Sequence, residues 1–283
     1  FITLGILQKA TTGLPVLAVL CLVYVFLHVK ESHSLKSAFL DKKAIRAIIY
    51  FGVPLVIGVL WTLYTDQIKS LNDLGMNLTS GALTTWNWGT LTQRFSFDLY
   101  GDVIWKRVCE QNLSGNLGVA ILVMVLLSSG RNSTKLVVAI SVVMGLAPIF
   151  LFTNLHIRHS YYQTANVIFI IYAVAASLGH VIDGYINKKA TILAITIIMV
   201  ISNYYWYSKD YLTVIRSKYD RENSRDIAVS KVLKREIPEG EYFVAFGNDW
   251  NSSFAYLAER KSFTVPKFYK QYQKISLNPE LFI

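Results

Sequence analysis

The chain has 283 residues, 53% of them hydrophobic and only 16% charged. Soluble domains carry about 25% charged residues, so this composition excludes an ordinary water-soluble globular protein. The net charge of +10 comes mainly from basic residues in short gaps between apolar runs and in the last third of the chain, without a nucleic-acid-binding motif, so nucleic acid is excluded as a partner.

Six apolar runs are long enough to cross a membrane. They cover residues 11–29, 47–64, 113–129, 136–155, 164–182 and 190–207. A spanning helix needs about 20 mainly apolar residues, and backbone groups inside hydrocarbon must be satisfied within the segment, so each run is predicted to be a helix. The sequence therefore predicts a membrane all-α fold with about six transmembrane helices, of which 113–129 has the shortest apolar centre.

Lysine and arginine concentrate in the loops after the first, third and fifth runs, which places those loops on the cytoplasmic side. The loops 65–112 and 154–163, the beginning of the chain and everything after about residue 208 are then external. The chain begins inside an apolar segment, without an initiator Met or a signal-peptide pattern, so we expect it to be part of a longer protein. Cys21 lies in an apolar run and Cys109 in a polar stretch, which argues against a disulfide between them.

The external loop 65–112 is too long for a simple turn and is rich in aromatic residues. Aromatic rings prefer the headgroup region of a membrane, so we predict a short helix within 90–112 that lies on the membrane surface. Two roles stay open for this helix: an anchor, or a lid or wall over a cavity that opens outward. The aromatic residues concerned are Trp86, Trp88, Phe95, Phe97, Tyr100 and Trp105.

The last part of the chain, 208–283, is polar and is predicted to be a small extracytoplasmic α/β domain that follows the membrane region 1–207. Residues 231–240 indicate a helix that stops at a Pro/Gly turn. Tyr242–Phe246 and Ser262–Val265 are predicted strands, and a helix capped by Ser252 or Ser253 runs between them to Arg260 after a turn at 247–251. No GxGxxG or P-loop pattern supports nucleotide binding.

The segment 154–163 carries more hydrogen-bonding and cationic groups than a turn between two membrane helices needs. Arg158 offers a planar fork for phosphate, and His156 and His159 can exchange protons near neutral pH. Tyr161 and Tyr162 combine a hydroxyl with a flat face that suits sugar rings and polyprenyl chains. We therefore predict a polar substrate-binding pocket at the external mouth of the helix bundle.

Other interpretations of this segment remain open. It could be an interfacial loop in which Tyr, His and Arg contact lipid headgroups. The two histidines could also ligate a divalent metal ion, but neither a carboxylate nor a Cys is adjacent, so no metal ligand and no certain cofactor is assigned.

Lys9 lies at the external start of the first apolar run. A lysine at such a position either extends toward the headgroups or contacts a phosphate in the same external cavity. Glycosyl transfer would also need a carboxylate base, but no acidic residue of the outer loop stands in a recognisable motif, so the catalytic residue is left unassigned. The acidic residues concerned are Asp66, Asp73, Asp98, Asp102 and Glu110.

Three stretches carry a resemblance to a known family. His159-Ser160-Tyr161-Tyr162 is similar to an external H-x-Y-Y or H-D-Y-Y segment that precedes a membrane helix. Leu7–Pro15 is similar to a K-x-x-G stretch at the start of a central helix, and Gly247–Asn251, followed by Tyr256 and Arg260, is similar to a small tail domain. Together they resemble the GT-C superfamily of polytopic glycosyltransferases related to bacterial protein O-mannosyltransferases and the aminoarabinose transferase of lipid A.

The resemblance implies an integral protein of the bacterial inner membrane that moves a sugar from a polyprenyl-phosphate donor to a glycan, lipid or protein acceptor on the periplasmic face. It implies that Lys9 and Arg158 contact the donor phosphate, and that His159, Tyr161 and Tyr162 line the pocket. In this family the catalytic aspartate lies in the first external loop, upstream of Phe1. The alternatives are a transporter or flippase of lipid-linked glycans, and an O-antigen polymerase or ligase.

Overall fold

The structure is a computed structural model that describes residues 2–32, 42–129, 132–186, 188–218, 225–247 and 251–281. The chain divides into two compact units, residues 1–207 and 208–283. The first unit is helical throughout its described elements. Its helices are α1 (Ile2–Gln8), α2 (Ala10–Ser32), α3 (Lys42–Ser70), α4 (Asp73–Met76), α5 (Thr84–Trp88), α6 (Leu91–Arg94), the π-helix α7 (Asp98–Glu110), α8 (Asn116–Leu127), α9 (Asn132–Leu151), α10 (Thr153–Arg158), α11 (Tyr162–Tyr185) and α12 (Lys189–Trp206).

Five helices in the described residues are long and apolar enough to cross a membrane. They cover Ala10–Glu31, Ile45–Ser70, Ser133–Leu151, Tyr162–Gly184 and Lys189–Arg216. The mostly helical membrane fold predicted from composition is confirmed at this level. The sidedness of the loops stays a prediction.

The predicted span at 113–129 is shorter in the structure than the sequence suggested. Helix α8 has 12 residues, which is about 18 Å at 1.5 Å per residue and less than the roughly 30 Å of a hydrocarbon core. Ser114 and Gly115 have φ angles of 61° and 60°, so the helix cannot extend toward residue 113. Its C-cap Ser128 is extended. Six full spans are therefore not found in the described residues, although α8 is itself apolar.

A helix is present in the outer loop, as predicted, at α7. Leu99, Val103 and Val108 are buried on one of its faces and belong to the main hydrophobic core, whereas Tyr100 and Trp105 are exposed on another. This two-sided pattern ties the helix to the bundle. Its position on a membrane surface stays a prediction.

The core of the first unit is the contact between α9 and α11. Val138 and Ile149 of α9 pack in the same cluster as Ile170 and Ala173 of α11. The two helices approach closely at Gly145, where a Cβ atom would overlap the side chain of Ile170 and lie 3.2 Å from the backbone oxygen of Asn166. Small residues permit such approaches between membrane helices.

We expect Gly145→Ala to lower the free energy of unfolding by about 1–3 kcal/mol, because the added methyl group forces α9 away from α11. The matched control is Gly179→Ala on α11, where nothing lies within 4 Å of the added Cβ. That variant should unfold at the wild-type temperature or slightly above it, since alanine favours helix over glycine. Equal thermal midpoints for the two variants would contradict the close approach at Gly145.

The second unit contains a small parallel sheet. Strands β1 (Tyr242–Phe246) and β2 (Lys261–Val265) pair in parallel, from Tyr242 opposite Lys261 to Phe246 opposite Val265. Both predicted strands are confirmed within one residue at each end. The other elements of this unit are the π-helical segment Tyr207–Leu212, which begins at the unit boundary, α13 (Thr213–Lys218), α14 (Arg225–Glu236), α15 (Ser253–Ala258), α16 (Tyr272–Leu277) and a 3-10 turn at Pro279–Leu281.

One helix end in this unit differs from the prediction and another agrees with it, each for a local reason. Helix α15 ends at Ala258, not Arg260, because Glu259 adopts the left-handed conformation with φ 54°. Helix α14 ends at Glu236, before Pro238, which restricts the residue that precedes it. The predicted turn at 247–251 falls partly on residues 248–250, outside the described residues.

Candidate functional site

The segment 154–163 is mostly a short helix rather than a bare loop. Helix α10 (Thr153–Arg158) follows α9 after Phe152, and α11 begins four residues after Arg158. The residues from Thr153 to His156 are all buried, while Arg158 and Tyr161 are exposed. The segment therefore divides into a buried polar half and an outward aromatic half.

Two arginines of the outer loop hold the ends of α9 and α10. Arg107 donates from Nη1 to the backbone oxygen of His156 at 2.7 Å and from Nη2 to that of Ile157 at 3.2 Å. Arg94 donates from Nε to the oxygen of Phe150 at 3.1 Å and from Nη2 to that of Leu151 at 3.2 Å. The last carbonyls of a helix have no partner within it, so both arginines act as C-terminal caps.

A polar side chain of α10 adds a second link to the same loop. Asn154 donates from Nδ2 to the backbone oxygen of Trp86 at 2.8 Å and accepts from Gln93 Nε2 at 2.8 Å. The outer loop and the segment 154–163 thus contact each other at one end of the first unit. The sequence does not predict these capping roles, because nothing in the spacing of Arg94 and Arg107 indicates a distant helix end.

Lys9 lies against the tyrosine pair at the end of the segment 154–163. It lies between α1 and α2, and its Nζ atom is 4.3 Å from the ring centroid of Tyr162 and 5.8 Å from that of Tyr161. The two tyrosine rings stack with centroids 4.7 Å apart, and His159 lies 5.2 Å from Tyr161. Burial lowers the pKa of Lys9 below its usual value. A cation over aromatic faces in this geometry is a favourable contact.

The structure therefore brings together five of the six predicted site residues. His156 is buried, with its ring 5.9 Å from that of Tyr162, and the other four are Lys9, His159, Tyr161 and Tyr162. We call these four residues the Lys9 site. Trp86 extends the group, since its ring centroid lies 6.1 Å from that of His159. The sequence did not single out Trp86 from the other aromatic residues of its loop.

Lys9 lies at the polar end of a cavity of about 510 Å³ between α2 and α11. Thr12 lines the cavity near Lys9, and the rest of its walls are apolar. Leu20, which also lines it, lies about 16 Å from Lys9 along the axis of α2, at 1.5 Å per helical residue. The other lining residues are Gly5, Gly13, Val16, Leu17, Ala165 and Phe169. A cation at the head of an apolar cavity matches an amphiphile with an anionic group.

A second groove, of about 550 Å³, lies between α2 and α3 and is lined almost entirely by apolar side chains. It reaches Trp88 of the outer loop and Phe152, whose ring centroids are 4.9 Å apart. It shares Leu17 with the first cavity. Two spaces suited to hydrocarbon therefore flank the same stretch of α2.

His156 does not match the prediction of a proton-exchanging group. It is 1% exposed, and Asn166 Nδ2 lies 3.3 Å from its Nε2 atom. Burial, together with the positive charges of Lys9 and Arg107, lowers the pKa of His156 to about 3. The expectation of acid–base exchange near neutral pH is therefore wrong for His156, because the charged imidazolium would lose its water shell beside two cations.

The side chain of Arg158 is exposed, and among the described residues no hydrogen bond or ion pair involves its guanidinium. Its predicted contact with a donor phosphate stays a prediction.

The acidic candidates of the outer loop have local roles where the structure gives them partners. Asp66 accepts hydrogen bonds from the backbone and hydroxyl of Ser80 and lies 3.6 Å from Lys69. Glu110 accepts from Trp105 Nε1 at 3.0 Å. Within the described ranges, no group of three or more His, Cys, Asp or Glu side chains could hold a metal ion.

The fold and this site define a mostly helical membrane protein with a cationic and aromatic site at one end of its bundle. Comparison with protein-family models, with curated proteins and with solved structures finds no match to this chain.

Proposed function

We propose that this chain functions as an integral-membrane glycosyltransferase, which moves a sugar from a polyprenyl-phosphate donor to an acceptor on the external face of a bacterial inner membrane. The observation that carries the proposal is the position of Lys9. Its ammonium group lies over two tyrosine rings at the head of a cavity with apolar depth. These three features correspond to the phosphate, the sugar and the prenyl chain of such a donor.

Each part of the donor has a chemical counterpart. When a sugar leaves polyprenyl phosphate by displacement at the anomeric carbon, negative charge develops on the phosphate, and a fixed cation stabilises it. Tyr161 is exposed, so part of its ring and its hydroxyl are accessible to a sugar. The apolar walls from Val16 to Phe169 suit isoprene units.

The proposal is tested in the full-length protein by sugar transfer from a polyprenyl-phosphate sugar. We expect Lys9→Met to lower kcat/KM by about 100-fold, because removing one charge-stabilising group typically costs about two to three orders of magnitude. Lys9→Arg keeps the charge and should retain more activity. Lys106→Met is the matched control, since Lys106 is exposed in the outer loop, and it should match the wild type. Unchanged transfer in Lys9→Met would show that Lys9 does not contribute to the substrate site.

Arg158→Ala and His159→Ala test the rest of the predicted pocket in the same assay. Wild-type transfer rates in both variants would show that Arg158 and His159 do not contribute to the substrate site, and would not bear on the role of Lys9. Movement of a lipid-linked glycan across the bilayer by the wild type, without sugar transfer, would favour the transporter or flippase alternative.

A further inference from the structure

The apolar groove between α2 and α3, which we call the α2–α3 groove, has the length of one lipid chain. It has a volume of about 550 Å³ and follows α2 from Leu14 to Val25, which is about 16 Å at 1.5 Å per residue. The hydrocarbon core of a bilayer is roughly 30 Å thick, so each leaflet supplies about 15 Å. A groove of this length between two helices long enough to cross a membrane therefore fits a hydrocarbon chain from one leaflet.

Aromatic rings and a cation lie at the outer-loop end of the α2–α3 groove. Trp88, Leu151 and Phe152 line the groove at this end. Arg94 donates from Nη2 to the backbone oxygens of Trp88 at 2.9 Å and Leu151 at 3.2 Å. Its guanidinium therefore lies within hydrogen-bond distance of two residues of the groove wall but is not part of the apolar lining. The headgroup of a lipid whose chain fills the groove belongs in such a position.

The positive charge of Arg94 has no negative partner in the part of the chain that the structure describes. Its hydrogen bonds from Nε and Nη2 go to neutral backbone oxygens, Nη1 makes none, and no ion pair involves the side chain. The side chain is half-buried, so water compensates its charge only in part. A guanidinium is suited to phosphate because its planar set of donors matches the phosphate oxygens.

We propose that the α2–α3 groove binds one chain of an anionic phospholipid from the surrounding bilayer, and that the lipid phosphate accepts hydrogen bonds from Arg94 Nη1. The apolar walls bind the chain, and the guanidinium selects the negative charge. The second chain of the phospholipid stays in the bilayer.

This lipid site is separate from the Lys9 site. Lys9 does not line the α2–α3 groove, and of the residues that line the cavity at Lys9 only Leu17 also lines the groove. The inference therefore does not rest on the proposed glycosyl transfer. The bound lipid has a structural role instead, because its headgroup joins Arg94 of the outer loop to the end of α9, which Arg94 caps.

The experiment uses the full chain in nanodiscs of phosphatidylcholine that contain a trace of photoreactive lipid. Two probes with the same photoreactive chain are compared, phosphatidylglycerol, which is anionic, and phosphatidylcholine, which is zwitterionic. Mass spectrometry of peptides then locates the label. Ala18 and Phe51 report on the groove, because they line it and do not line the cavity at Lys9. Leu60 of α3 is the internal control, because it is exposed and does not line the groove.

We expect the phosphatidylglycerol probe to label Ala18 and Phe51 about five times more than the phosphatidylcholine probe, which is the factor that one basic residue near a membrane surface contributes to the attraction of an anionic lipid. The two probes should label Leu60 equally. Equal labelling of the groove by the two probes, or none by either, would overturn the proposal. Displacement of the phosphatidylglycerol probe by an equal amount of polyprenyl phosphate would assign the groove to that lipid and would also overturn it.

Two pairs of variants separate the chain site from the headgroup site. Gly52→Phe places a ring in the groove, since Gly52 lines it and an added Cβ meets only Ile48 Cγ2, at 3.9 Å. It should abolish the excess label from phosphatidylglycerol, whereas Val53→Phe, on an exposed residue outside the lining, should retain it.

Arg94→Gln should leave the groove labelled but equally by both probes, whereas Arg94→Lys keeps the charge and should keep the excess. Lys106→Gln removes an exposed charge elsewhere in the outer loop and should have no effect on the ratio of the two probes. An undiminished excess in Gly52→Phe or in Arg94→Gln would contradict the assigned site. The wild-type comparison of the two probes stands by itself if a variant fails to fold.

Discussion

Replacing Arg107 by methionine is expected to lower the free energy of unfolding of the first unit by about 3 kcal/mol. The guanidinium donates two hydrogen bonds to the final carbonyls of α10, and hydrogen bonds from charged donors contribute about 1.5–3 kcal/mol each. The His156 oxygen keeps its bond from Gln163, but the Ile157 oxygen loses its partner. Methionine preserves much of the apolar length, so the change isolates the lost hydrogen bonds.

Thermal unfolding in detergent or nanodiscs measures this effect, as a fall of about 6–12 °C in the midpoint for a unit of this size. Arg158→Met is the matched control. Arg158 lies on α10, the helix whose carbonyls Arg107 caps, but its own side chain is exposed. It should shift the stability by no more than about 0.5 kcal/mol. A larger loss in Arg158→Met than in Arg107→Met would contradict the capping role of Arg107.

The second large effect is acid sensitivity caused by His156. Its pKa is about 3 in the folded chain, whereas an unfolded histidine has a pKa of about 6.5. Below pH 6.5 the unfolded chain therefore binds a proton that the folded chain does not accept until about pH 3. The stability that is fully present above pH 6.5 is lost progressively as the pH falls through this window, by about 3 kcal/mol at pH 4.

The measurement compares thermal midpoints of wild type and His156→Gln from pH 7 to pH 4. Glutamine does not titrate, so the variant should be less sensitive to acid by roughly the amount that His156 contributes. His159→Gln is the control, because its ring is only half-buried, and it should keep the acid sensitivity of the wild type. Parallel curves for wild type and His156→Gln would show that His156 is not held neutral by burial.

Local sequence patterns were sufficient for much of the fold. The strand at 242–246 and the long apolar helices follow from hydrophobic periodicity and length, which act within one segment. The shortening of α8 could not be predicted in the same way. It depends on the backbone conformation of Ser114 and Gly115, and Ser114 N–H donates to Asn203 Oδ1 at 2.9 Å, which is a contact with a distant helix.

The candidate site shows the same division between local and long-range information. The composition of 154–163 marked the region, but residue type alone could not separate buried His156 from half-buried His159, three positions later. The difference arises because α10 turns the first side chain into the bundle. The position of Lys9 against Tyr162 depends on the packing of segments about 150 residues apart. Such a long-range contact cannot be predicted from the spacing of residues in the sequence.

The most direct test of the proposed function is sugar transfer by the purified wild-type full-length protein in synthetic phospholipid. A labelled polyprenyl-phosphate sugar is supplied with a mixture of glycan, lipid and peptide acceptors, and both label transfer and release of polyprenyl phosphate are measured. We predict that the label moves to an acceptor with an equal release of polyprenyl phosphate, and that Lys9→Met greatly slows both. An intact donor after prolonged incubation, or its passage across the bilayer with the sugar still attached, would contradict the assignment as a glycosyltransferase.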